Sequence, residues 1–178
     1  MKTFSLFLVL LFSIFLVSAA FAGPSDVIKT AGDIGALAIP ASAAMMTLIY
    51  KDKEGTTQFI KAYAATMAAT FGLKYTIKEK RPNGEKHSFP SAHAASAFAG
   101  AAFVQQRDGW KYGLPLYVAA SFVGYSRIES KEHYFQDVIA GAAIGLAANL
   151  IFTKPFKNIS VTPIVGKDFN GIIIGKSF

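Results

Sequence analysis

Residues 138–153 read VIAGAAIGLAANLIFT, sixteen residues without a charge and rich in Ala, Leu and Ile. Alanine and leucine favour helix, and the run is too long for an ordinary strand. Four more stretches have the same character: 34–50, 62–73, 94–106 and 112–126. Pro40, inside the first of these, marks a kink or a boundary. Each uncharged run is shorter than the ~20 apolar residues that cross a bilayer. The expectation is therefore an all-α, compact bundle of buried helices, preferred over a chain that crosses a membrane several times.

The rest of the chain fits that frame. Its 178 residues suit one domain. Hydrophobic residues make up 52% and charged ones 16%, which excludes a disordered chain. A net charge of +7 with scattered lysines suits phosphate esters or an anionic membrane surface better than nucleic acid. With no cysteine, disulfides, thiolate metal sites and cysteine nucleophiles all drop out. At the start, Lys2 precedes an apolar run that closes on Ala20-Phe21-Ala22, the pattern of an export leader over residues 1–22. Cleavage after Ala22 would begin the mature chain at Gly23; an uncleaved anchor is the alternative. After Pro155 the composition turns to β-branched residues, which predicts a β-hairpin over 159–177.

Three polar clusters interrupt the apolar chain. Lys74 is followed, after six intervening residues, by Arg81-Pro82. Seven residues are about two helical turns, so Lys74 and Arg81 are placed on one side of a helix, which Pro82 ends. Next comes Pro90-Ser91-Ala92-His93. Ser91 is a good N-cap, the first amides of the helix it starts attract phosphate oxygens, and His93 lies in that first turn, placed to protonate a leaving oxygen. The third cluster runs Ser126-Arg127, then His133, then Asp137. His133 and Asp137 are four apart, which on a helix puts them on one face. Asp137 can then hold one imidazole nitrogen while the other attacks. Each cluster alone has a plain structural explanation: a surface pair, a capped helix, a solvated charged face. Together they supply a nucleophile, an acid and cations for an anion.

This order of residues resembles the three-part signature of the type 2 phosphatidic acid phosphatase superfamily, which includes lipid phosphatases, bacterial non-specific acid phosphatases and vanadium haloperoxidases. The resemblance runs from Lys74 to Asn149 within a domain spanning 23–178. It implies a helical core with the site at helix ends, and a phosphatase that uses neither metal nor cofactor. His133 would form a phosphohistidine, Asp137 would orient it, and His93 would protonate the leaving group. Lys74, Arg81, Ser91 and Arg127 would hold the phosphate. Ala92 stands where the family often has glycine, and His87 and Ser88 match nothing essential. Lipid or isoprenoid phosphates are the first expectation for the substrate, with contact to a membrane surface and a location outside the cytoplasm, periplasmic or at the outer face of the inner membrane. Small soluble phosphate esters are the alternative. A haloperoxidase and a non-catalytic anion-binding protein are the remaining readings.

Overall fold

The computed structural model describes residues 24–156 and, as backbone, the segments Ser160–Val165 and Asn170–Gly175. The leader expected over 1–22 lies outside the described residues. Five helices follow one another: α1 Pro24–Ile49, α2 Lys53–Thr76, α3 Ala92–Asp108, α4 Trp110–Glu129 and α5 Phe135–Phe152. Each expected helix is present, and every one extends beyond its uncharged run. Asp33 and Lys29 lie on α1, and Lys74 on α2, because a charge at the end of an apolar run does not stop a helix whose other faces are packed.

That extension corrects the length argument. Asp26–Ile49 and Phe135–Phe152 are long and apolar enough to cross a membrane. Pro40 sits within α1 and does not end it. Proline lacks the N–H that would bond the carbonyl one turn back, at Ala36. Ser96 of α3 supplies the donor instead, its Oγ–H reaching Ala36 O at 2.7 Å. Its oxygen also lies 2.8 Å from Tyr63 Oη of α2, so one serine joins three helices.

The core is built on small residues. α3 is the central helix, in contact with α1, α2, α4 and α5. Its alanines 94, 95, 97, 99, 101 and 102 are buried. Glycines on α5 let the two backbones meet: a Cβ at Gly145 would lie 2.7 Å from Ala95 O and Ala99 N. The fully buried Asn149 donates to Ala99 O at 2.9 Å from the same face. At one end of the bundle Arg107 grips Asp52 with two hydrogen bonds of 2.7 Å and donates to Lys154 O at 2.8 Å. This ties the start of α2 to the end of α3 and to the chain leaving α5.

The C-terminal hairpin is not supported as part of the fold. Ser160–Val165 and Asn170–Gly175 run antiparallel to one another, and no contact with a helix exists among the described residues. A lone two-stranded ribbon is marginal in water, so β-branched composition here does not add a sheet to the domain. The packed fold is all-α.

Candidate active site

The end of the bundle opposite Arg107 gathers the polar residues. The end of α2, the start of α3, the end of α4 and the start of α5 meet there, with α1 alongside. The close approach of α3 and α5 fixes this meeting: Ser91 N–H donates to Asp137 O at 3.0 Å. Ser91 is fully buried and caps α3, its Oγ accepting from Ala94 N–H at 3.4 Å.

His133 and Asp137 come together, though not on one helix. His133 lies in the turn before α5, and Tyr134 is extended at φ −76°, ψ 162°. The His133 N–H donates to Arg127 O at 3.1 Å, which folds the turn back against the end of α4. Its Nδ1 then lies 3.4 Å from Asp137 Oδ2, with both side chains buried. Asp137 serves the helix as well, its Oδ2 accepting from Tyr134 N–H at 3.0 Å. Burial, with Lys74 and Arg81 acting in the same direction, pushes the His133 imidazole down to about 4 against the opposing pull of Asp137.

Arg81 also departs from the helical expectation. α2 ends at Thr76, and Arg81 sits in a tight turn in which its N–H donates to Glu85 O at 2.7 Å and its carbonyl accepts from Gly84 N–H at 2.9 Å. The turn brings it to the site regardless. Its guanidinium pairs with Glu132 and Glu85. Lys74, buried at the end of α2, donates to the carbonyls of His87 at 2.7 Å and Ser88 at 3.3 Å. Burial, and then Arg81, lowers its ammonium to about 8.

Arg127 is buried at the end of α4. Its Nη1 donates to Asp33 Oδ1 at 2.6 Å, its Nη2 to Lys29 O at 2.5 Å, and its Nε to Ser126 Oγ at 3.0 Å. His93, part-exposed in the first turn of α3, has Nε2 3.0 Å from the same Asp33 oxygen. Burial, and then the Arg127 charge, lowers the His93 imidazole from its ordinary value of 6.5.

All seven residues named from the sequence thus lie at one end of the bundle. Four others were missed. Asp33 bridges Arg127 and His93; it is an acid directly before the apolar run 34–50, which was a signal. Glu132, next to His133, pairs with Lys29 and Arg81. Burial would raise its carboxyl, but Lys29, Arg81 and Arg127 together hold it below the usual range. His87 and Ser88, set aside in the sequence, both contact the site: His87 holds Lys74, and Ser88 Oγ–H donates to Asp137 Oδ2 at 2.5 Å. Among the described residues, the buried side-chain atoms left without a hydrogen-bond partner include His133 Nδ1, Asp137 Oδ1 and Arg81 Nε. Unpaired buried polar atoms are costly, and these three lie together at this end of the bundle, beside the cations Lys74 and Arg81.

The PAP2 superfamily model matches residues 55–159 of the chain, a span that contains all seven. The chain belongs to the PAP2 superfamily. It is a phosphatase of that family. A lipid A 4'-phosphatase of Helicobacter pylori is 26% identical over 147 residues, which are 75% of this chain and 74% of that protein. A lipid A 1-phosphatase of Porphyromonas gingivalis is 38% identical over 95 residues, 46% of this chain but 21% of that protein. Among solved structures, Aquifex aeolicus LpxE superposes with a TM-score of 0.64 at 22% identity, covering 79% of this chain and 92% of that one. A transmembrane PAP2-type phosphatidylglycerolphosphate phosphatase from Bacillus subtilis gives 0.57 at 23% identity, covering 85% and 92%. Both share the PAP2 helical fold.

Proposed function

We propose that the chain is a lipid-phosphate phosphomonoesterase that works through a phosphohistidine at His133. The observation that carries this is the buried His133–Asp137 pair set beside Lys74 and Arg81; burial, and then those two cations, keep the His133 imidazole neutral down to about 4. With Nδ1 facing Asp137, Nε2 is the nitrogen free to attack phosphorus. The new N–P bond forms as the P–O bond to the leaving group breaks, and the departing oxygen takes its proton from His93. Lys74, Arg81, Arg127 and the amides at the Ser91 helix start balance the charge on the remaining oxygens. Water then attacks phosphorus, His93 takes the water proton, and the N–P bond breaks to free phosphate and His133. Asp137 stabilises the imidazole while it carries positive charge. The roles need neither metal nor cofactor.

A lipid substrate is supported by the outer faces. Leu37, Val118, Leu150 and Ile151 on α1, α4 and α5 are each more than 60% exposed, together with Trp110 and Phe135. Apolar surface on that scale fits a membrane. Relatives named for lipid A dephosphorylation point the same way. With the leader reading of residues 1–22, the site works outside the cytoplasm. The test is phosphate release by the purified chain in detergent micelles, on lipid, isoprenoid and soluble phosphates. A preference for lipid or isoprenoid esters is expected. Equal or better turnover of small soluble esters, in an enzyme stable without detergent, would replace this reading with a broad acid phosphatase.

A further inference from the structure

We infer that Ser88 is a positioning residue for the nucleophile: its hydroxyl holds the Asp137 carboxylate in place behind His133. The inference rests on the phosphohistidine reading and deepens it. Ser88 is fully buried, in the loop before α3, and its Oγ lies 2.5 Å from Asp137 Oδ2. A serine hydroxyl facing a carboxylate has one available role, that of donor. The same Asp137 oxygen accepts from Tyr134 N–H at 3.0 Å and faces His133 Nδ1 at 3.4 Å, while Oδ1 has no partner. Two donors therefore fix which oxygen faces the histidine. Without Ser88 the carboxylate keeps a single tether and is free to rotate about its last bond, carrying Oδ2 away from the imidazole.

The backbone of Ser88 adds a second link. Its N–H donates to Glu79 O at 3.0 Å, and its carbonyl accepts from Lys74. One residue thus ties together the phosphate-facing lysine and the carboxylate behind the nucleophile. Only the second tie depends on the side chain, so a side-chain variant separates the two.

The test compares Ser88→Ala, Ser88→Thr, Asp137→Asn and the double variant Ser88→Ala/Asp137→Asn on p-nitrophenyl phosphate. Inhibition by inorganic phosphate serves as a measure of anion binding. Ser88→Ala is expected to lower kcat about tenfold to a hundredfold, the worth of a hydrogen bond to a charged group, with phosphate inhibition unchanged. Ser88→Thr, which keeps the hydroxyl, is expected to recover part of the loss. The double variant is expected to be no worse than Asp137→Asn, since the hydroxyl acts only through that carboxylate. Near-normal kcat in Ser88→Ala overturns the inference, as does a full Ser88→Ala loss on top of Asp137→Asn. Full activity in Asp137→Asn would also overturn the inference, whereas full activity in His133→Ala would overturn the phosphohistidine reading itself, a separate outcome. If Ser88→Ala does not fold, Ser88→Cys decides: it is similar in size and a weak donor, so wild-type kcat in that variant overturns the inference and a reduced kcat with intact phosphate inhibition supports it.

Discussion

Asp33 on the first helix accepts a 2.6 Å hydrogen bond from Arg127 Nη1 with an oxygen that also lies 3.0 Å from His93 Nε2. One carboxylate oxygen thus sits between the two groups assigned to hold the phosphate and to protonate its leaving oxygen. A phosphate arriving at Arg127 meets a negative charge already there. Asp33→Asn removes that charge and keeps the shape. Inorganic phosphate should then inhibit a few-fold more strongly, in line with the ~0.5–1 kcal/mol of a charge pair whose carboxylate is half-exposed and screened by solvent. Weaker or unchanged inhibition would show that Asp33 does not compete with the anion.

The pH profile follows from two histidines in opposite roles. His133 attacks when neutral, and it is neutral above about 4. His93 donates when protonated, and burial with the Arg127 charge places its loss of a proton below 6.5. Lys74, at about 8, stays charged across this interval. In the free enzyme kcat/KM should therefore rise as pH climbs through about 4 and fall before neutrality. A bound phosphate offsets the nearby cations and favours protonation of both histidines, so both limbs of kcat should lie at higher pH than those of kcat/KM. A kcat/KM that climbs steadily to pH 9 would contradict these assignments.

Arg127 makes its three sets of contacts with a planar fork. Lysine carries the charge but not the fork. Arg127→Lys should cost roughly 10²-fold or more in kcat/KM, by comparison with the loss of an oxyanion donor. Near-normal turnover would reduce Arg127 to a nearby charge.

Gly145 tests the packing that assembles the site. A Cβ there meets α3 backbone atoms at 2.7 Å, and backbone cannot step aside as a side chain can. Gly145→Ala should destabilise the protein by about 1–3 kcal/mol, seen as a melting temperature lower by several degrees. At Gly72 a Cβ meets nothing within 4 Å, so Gly72→Ala should be neutral or stabilising. Equal effects of the two would mean that α3 and α5 are not in backbone contact.

Much of this was legible in the residues, and the parts that were not share a cause. The five helices followed from uncharged alanine-rich runs, because such runs have few other ways to fold. Lys74, Arg81, Ser91, His93, Arg127, His133 and Asp137 were named by type and order, and the structure gathers them at one end of the bundle. Their local geometry was read too simply: His133 reaches Asp137 from a turn, and Arg81 reaches the site from a loop, because long-range packing and not helical spacing sets both positions. Ser88 and Asp33 were passed over for a related reason. A serine or an aspartate gains its role from the group that it meets, and those groups lie 49 and 94 residues away. The C-terminal hairpin failed differently: β-branched composition gives a tendency to extend, and packing against the domain is what would make it part of the fold.

The central claim is that the phosphoryl group passes through His133. Labelled p-nitrophenyl phosphate, quenched with base at short times, tests it directly, since a phosphohistidine survives base and is lost in acid. Wild type should hold label on a peptide containing His133, and His93→Ala should hold more, because nitrophenolate leaves without a proton while water attack lacks its base. His133→Ala should hold none and should be inactive on every ester. Label retained in His133→Ala, or turnover preserved in it, would contradict the account and move the nucleophile elsewhere.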